Sequence, residues 1–262
     1  MNFITGEQIQ EKCDVYLGYP GDFRFNPRIS RQSKCFDIDL LVNPWANPRL
    51  IFVYGDRLPD FMAKLHLIQN SFVLVSHNSD ENIREKYQEI LDHPKLIIWH
   101  AQNPMIRHEK LRLLPIGIAN SMWRHGNLAS LRRILEKNNP KVNDIYFYFS
   151  LITNKDERME CKQALEMKLA FEQHKDNFEE YLDHLSKHKY AICPPGNGID
   201  SHRIWECLYL GVIPIVKRST FTELLSQSYP CVILNSWQEF DQSSLSSYIP
   251  MDRFVIIEPA IC

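Results

Sequence analysis

Short apolar runs rich in β-branched and aromatic residues recur along the chain, separated by longer amphipathic or polar segments. This is the pattern of buried strands alternating with helices, and it predicts an α/β fold. The expected strands are Asp14–Leu17, Leu50–Tyr54, Phe72–Ser76, Leu96–Trp99 and Leu114–Ile118, then Ile145–Phe149, Tyr190–Cys193, Ile213–Val216, Cys231–Leu234 and Phe254–Ile257. The clearest helices are Asp156–His174, Phe178–Lys187, Ser201–Leu210 and Phe221–Ser226, and Leu128–Glu136 is a further, basic candidate. A polar stretch, Lys137-Asn-Asn-Pro-Lys-Val-Asn143, reads as a boundary, so residues 1–140 and 141–262 are expected to form separate units. Two open parallel sheets would place ligands at the carboxyl ends of their strands, in a cleft between the units.

Composition narrows the picture. The chain has 262 residues, 44% of them hydrophobic, enough to bury a substantial core. Its 30 Lys and Arg against 32 Asp and Glu give a net charge of −2, which offers no general attraction to nucleic acid. Seven cysteines at irregular spacing, with no C-x-x-C, read as reduced thiols. The first residues lack the cationic head and apolar run of a signal peptide, and no apolar stretch approaches the roughly 20 residues of a membrane span. A soluble cytoplasmic protein is expected, unless the chain is a fragment of a membrane-anchored parent.

The strongest chemical signal follows the strand Tyr190–Cys193: Pro194-Pro-Gly-Asn-Gly-Ile-Asp-Ser-His-Arg-Ile-Trp-Glu206, leading into Gly211-Val-Ile-Pro-Ile-Val216. Strand, glycine turn, helix and strand make a βαβ unit. Gly196 and Gly198 would let the backbone approach a ligand, with Asn197 between them, and the N–H groups opening the next helix suit an anion such as a pyrophosphate. Asp200, Arg203 and Glu206, three apart, share one side of that helix. Arg203 could grip phosphate oxygens, and Glu206 could accept from ribose hydroxyls. The alternative is structural, with Asp200 or Ser201 capping the helix and Arg203 and Glu206 forming a surface pair. A dinucleotide fold is a third reading. The G-x-G-x-x run ends in Ser201, and Val216-Lys-Arg218 lacks the acid that NAD requires, so only an NADP-dependent oxidoreductase stays open.

The run from Tyr190 to Val232 resembles the donor-binding segment of exostosin-like glycosyltransferases, in which a Pro-x-Gly turn precedes an Arg, a Glu-Ala-like pair and Gly-x-(Ile/Val)-Pro-(Ile/Val). Cys207 stands here in place of the Ala. The resemblance implies a GT-B arrangement of two Rossmann-like domains facing a central cleft, with a nucleotide sugar held by the C-terminal one. It implies that Arg203 meets the donor phosphates and Glu206 the ribose. It also implies transfer of a sugar from a UDP-sugar to a glycan hydroxyl, with xylose favoured because compact viral-type transferases look similar in outline. The nucleotide-sugar donor and a glycan acceptor are the expected partners, no cofactor beyond the donor is expected, and a homodimer is an allowed assembly.

Further candidates lie at other strand ends. Arg158, in the first turn of the helix after Ile145–Phe149, could help hold the diphosphate; Asn154 with Glu157 resembles a capping box. For the general base of an inverting transfer, Phe72-Val-Leu-Val-Ser-His-Asn-Ser-Asp80 offers Asp80 first and His77 second. Asp80 could instead cap a helix beginning near Glu81. Asp56, Arg57, His100, Gln102 and Asn103 hold comparable positions and could line an acceptor groove. Asp37-Ile-Asp39 is a D-x-D triplet, the metal signature of the other large glycosyltransferase architecture, but its alternation suits a strand with one polar face, and no metal site is expected. The competing reading from another class is a non-catalytic module that binds nucleotide or glycan without turnover.

Overall fold

The computed structural model describes residues 3–17, 50–173 and 177–245. Asp37, Asp39 and the strand expected at Phe254–Ile257 lie outside these residues. Compact units divide at Ile116 and Gly117, so that the helix before the polar stretch belongs with the second unit.

The first unit carries α1 (Gly6–Glu11) and five strands: β1 (Val15–Leu17), β2 (Leu50–Tyr54), β3 (Phe72–His77), β4 (Leu96–Ala101) and β5 (Leu111–Leu113). All pair in parallel, in the order β1-β2-β3-β4-β5. Helices α2 (Leu58–Ala63) and α3 (Gln88–Asp92) occupy two of the connections. Alternate residues Val15 and Leu17, Ile51 and Val53, and Phe72 and Leu74 supply one core with Phe61, Tyr87 and Trp99, as the period-two geometry of strands requires. An extra residue in β4 shifts the register between Phe72 and Val73, and Ile97 is left exposed there. The fifth strand lies three residues before the expected Leu114–Ile118. Pro115 has no N–H to donate and ends the ladder, and the carbonyl of Pro115 instead accepts from His77.

The second unit contains α4 (Leu128–Lys137), β6 (Asn143–Tyr146), α5 (Lys155–Leu165), α6 (Phe178–Ser186), β7 (His188–Ile192), α7 (His202–Tyr209), β8 (Ile213–Lys217), α8 (Thr220–Leu225) and β9 (Val232–Leu234). Its sheet is parallel in the order β6-β7-β8-β9. Phe3 joins this unit, its ring 5.1 Å from that of Tyr209 and under the Arg132 guanidinium. Asn127 opens α4 by accepting from the N–H groups of Ala129 and Ser130. Arg133 and Lys137 then tie α4 to Glu179 and Asp183 of α6, which is why the polar stretch after α4 is not the point of division.

Two elements are shorter than the sequence pattern predicts. The β6 ladder ends at Tyr146, and the next carbonyls serve other partners: Phe147 accepts from the Glu172 N–H at 2.9 Å and Tyr148 from Arg203 at 2.8 Å. Helix α5 stops at Leu165 rather than His174, and Lys168 reaches the carbonyls of Gln238 and Phe240. Both sheets are parallel and interleaved with helices, so the α/β class holds for each unit. Among the described strands neither order reverses, so the switch point of a doubly wound sheet does not occur there. No helix among the described residues is long and apolar enough to cross a membrane.

Candidate functional site

The glycine turn after β7 is braced by the start of α5. Asn154 takes a left-handed conformation, φ 44°, and its side chain makes no capping bond. Its Nδ2 donates instead to the Gly196 carbonyl at 2.8 Å, and its backbone N–H lies 3.3 Å from Asn197 Oδ1. The capping box expected with Glu157 is therefore absent; Glu157 accepts from Lys217 and from the Trp237 indole. Arg158 donates through Nε to Pro195 O at 2.9 Å and through Nη1 to Ser150 O at 2.8 Å. Its Nη2 has no hydrogen-bond partner among the described residues and lies beside Gly196.

Neither Gly196 nor Gly198 has a positive φ. A Cβ built on Gly196 would meet only Gly198 O at 3.6 Å and Arg158 Nη2 at 3.8 Å, ordinary contacts. Nothing in the fold itself therefore requires glycine at 196. Backbone geometry requires glycine elsewhere, at Gly211, φ 66°, just past the end of α7, and at Gly117, also φ 66°.

Beyond the turn, Asp200 is buried and accepts from the Trp205 indole at 2.7 Å, so it fixes the first turn of α7 from inside. Ser201 occupies the N-cap position without a side-chain bond, and its buried Oγ has no partner among the described residues. His202 Nδ1 is held at 2.8 Å from Gly117 O. Arg203 lies against two tyrosine rings, 5.3 Å from the centroid of Tyr146 and 4.8 Å from that of Tyr181. Its Nη1 donates to Tyr148 O and its Nε lies 3.8 Å from Glu206 Oε2. Tyr181 donates to the same carboxylate oxygen at 2.6 Å. The Arg203–Glu206 pair expected as a surface alternative is thus an interior one, with the Glu206 side chain 5% and the Arg203 side chain 21% exposed.

Electrostatics follow from this burial. Burial pushes the Glu206 carboxyl above the usual range, and the Arg203 charge and the Tyr181 hydrogen bond oppose it. Arg158 is lowered by burial and then by the positive charge of Arg203. Two guanidiniums therefore sense each other here while only one has a carboxylate partner among the described residues, and that arrangement favours an anion. The tyrosines escaped sequence reasoning because they come from β6 and α6, far from the motif in the chain. The only local signal was for Tyr146, an aromatic at a strand end.

In the first unit, the β3 end loop is held by its neighbours. Ser79 Oγ bonds Asp56 and receives the Glu81 N–H, while Gln102 and Asn103 donate to the Ser79 carbonyl. Asp80 is exposed on this loop, and no helix begins at Glu81. His77 is 1% exposed. Its Nδ1 lies 3.0 Å from Asn78 Oδ1 and its Nε2 3.0 Å from Pro115 O, so both ring nitrogens are committed to the protein. His100, Gln102 and Asn103, expected to line a groove, are buried. Among the described residues the five cysteines are free thiols, with Cys193 and Cys207 Sγ 3.8 Å apart. No family model matches the sequence, and no curated protein matches it.

Proposed function

We propose that the chain is a glycosyltransferase that moves a sugar from a UDP-sugar, with xylose the favoured sugar, to a hydroxyl of a glycan acceptor with inversion. The observation that carries this reading is that Arg158, bonded to the glycine turn, senses the positive charge of Arg203, and that of the two only Arg203 has a carboxylate partner among the described residues. Arg158 Nη2, the unpartnered Ser201 Oγ and the N–H groups opening α7 add donors of the kind a diphosphate needs. That Gly196 has room for a Cβ agrees with a residue kept small for a ligand. The two Rossmann-like domains of a GT-B transferase are part of this reading.

In the proposed reaction the acceptor hydroxyl gives its proton to the Asp80 carboxylate as its oxygen attacks the anomeric carbon. The bond from that carbon to the diphosphate oxygen breaks through an oxocarbenium-like centre, and UDP leaves with the bonding pair. The guanidiniums and N–H groups stabilise the charge that moves onto the diphosphate. Glu206 orients Arg203 and faces the ribose hydroxyls. Calorimetric titration of UDP into the 262-residue chain without added divalent ions, beside Arg158→Ala, tests the reading. Binding that the substitution weakens by tenfold or more is expected. No binding, or equal binding by the variant, would overturn the donor site, and binding without acceptor-dependent UDP release would favour a non-catalytic module.

A further inference from the structure

A second cluster lies in the same unit, at the amino end of β7, and the glycosyl-transfer reading does not use it. His184 lies in the last turn of α6, His188 opens β7 four residues later, and Glu172 comes from the segment after α5. One ring nitrogen of each histidine and a Glu172 carboxylate oxygen all lie within 4.8 Å of one another. His184 Nε2 is within hydrogen-bonding reach of Glu172 Oε2, and His188 Nε2 lies 3.3 Å from Glu172 Oε1. The cluster is anchored on each side. The Glu172 N–H is held by Phe147 O, and the Tyr146 ring packs against both imidazoles.

The tautomer of His188 decides what the cluster is suited for. Its Nδ1 lies 2.9 Å from the His184 carbonyl, an acceptor, so Nδ1 carries a hydrogen. In the neutral ring Nε2 then bears a lone pair, and that lone pair faces a carboxylate inside the protein, where His188 is 3% exposed. Only a positive species between them, a proton or a metal ion, makes the contact attractive. An imidazole oriented by a backbone carbonyl through its other nitrogen is the usual arrangement of a metal-ligating histidine. The 3.3 Å between His188 Nε2 and Glu172 Oε1 also matches the separation of about 3.3–3.4 Å between ligands held at about 2.0–2.1 Å around a tetrahedral ion.

We propose that Glu172, His184 and His188 bind a divalent transition-metal ion of the Zn²⁺ class, with a fourth position for water. Two imidazoles and one carboxylate suit Zn²⁺ or Co²⁺ and disfavour Mg²⁺ and Ca²⁺, which prefer oxygen ligands. The ion would join the segment after α5 to α6 and β7. Through Tyr146, which touches both histidines and Arg203, it would also set the wall on which Arg203 rests.

Zn²⁺ titrated calorimetrically into the EDTA-treated and dialysed chain should bind at one site per chain and raise the melting temperature. Co²⁺ should give the intense visible bands of tetrahedral coordination. Glu172→Gln and His184→Ala, at the half-buried members, should each weaken Zn²⁺ binding by more than the roughly 10–100-fold typical of losing a supporting partner. His66→Ala, a histidine away from the cluster, should leave it unchanged. Circular dichroism of the metal-free variants establishes that they fold. Should they misfold, protection of the wild-type histidines from diethyl pyrocarbonate by Zn²⁺ replaces them, mapped by mass spectrometry. Absence of a one-to-one site, full affinity in both variants, or protection outside His184 and His188 would overturn the proposal.

Discussion

Arg203 is held from several sides within the candidate site. Two rings, one carbonyl and one carboxylate fix its orientation, so little reorganisation is needed when charge develops on a leaving group. Donors preorganised in this way contribute about 2.7–4 kcal/mol to transition-state stabilisation. Arg203→Ala should therefore lower turnover on the order of a hundredfold or more, read as acceptor-dependent UDP release. Loss of only a few fold would remove it from the mechanism. Asp80→Asn keeps shape but not basicity, and abolished transfer with unchanged UDP binding is the expected result. An unaltered transfer rate would assign the proton to another group. Lys141 makes a separate statement about pH. Its ammonium donates to the carbonyls of Ser186 and Leu210, and burial lowers it from 10.5 to about 8. Between pH 8 and about 10.4 the unfolded chain holds the Lys141 proton and the folded chain does not, so this residue makes stability rise with pH in that window. Neutral amine retains two N–H groups for the two carbonyls. Urea unfolding of the wild type and Lys141→Met at pH 7.5 and 10 should show the wild type gaining on the variant as pH rises; a constant difference would refute the shift.

At the level of elements, strand ends matter more than strand middles. Tyr148 and Phe147 leave the β6 ladder, and their freed carbonyls receive Arg203 and the Glu172 N–H. The same departure thus supports both the candidate anion site and the proposed metal site. Asn154 shows a parallel exchange, giving up the cap of α5 to hold the glycine turn. Helix α4 retains an ordinary cap, and Asn127→Ala should cost about 1 kcal/mol of stability, with Asn127→Asp nearly neutral. Equal losses in the two variants, measured by denaturant midpoint, would mean that the side chain acts through something other than the Ala129 and Ser130 N–H groups.

For the whole molecule, each unit has its own core, one around Leu74, Phe61 and Trp99 and the other around Ile192, Phe147 and Trp237. Leu74→Ala and Ile192→Ala should each cost about 2–5 kcal/mol. Because the cores share no side chains, the double variant should lose their sum within about 0.5 kcal/mol. A clear departure from additivity in urea unfolding would show that the two cores are energetically coupled. The sequence net charge of −2 leaves recognition to local groups, and in the proposed donor site those groups are Arg158 and Arg203.

Hydrophobic periodicity alone determined the α/β class and nine of the strand positions to within a few residues, since burial on a parallel sheet demands continuous apolar runs. It placed Asn154, Arg158 and the Gly196–Glu206 segment at strand ends, and the structure brings Asn154 and Arg158 onto that turn. Other features could not be read along the chain. The commitment of both His77 nitrogens depends on Pro115, 38 residues away. The tyrosines flanking Arg203 arrive from two other elements, and Glu172 meets His184 and His188 only because α5 stops early and its continuation bonds to Phe147. Sequence pattern fixes which residues are buried and how each element is built, because those depend on neighbours a few positions apart. Which polar groups find each other depends on where strands end and which carbonyls they release, and tertiary packing alone decided that.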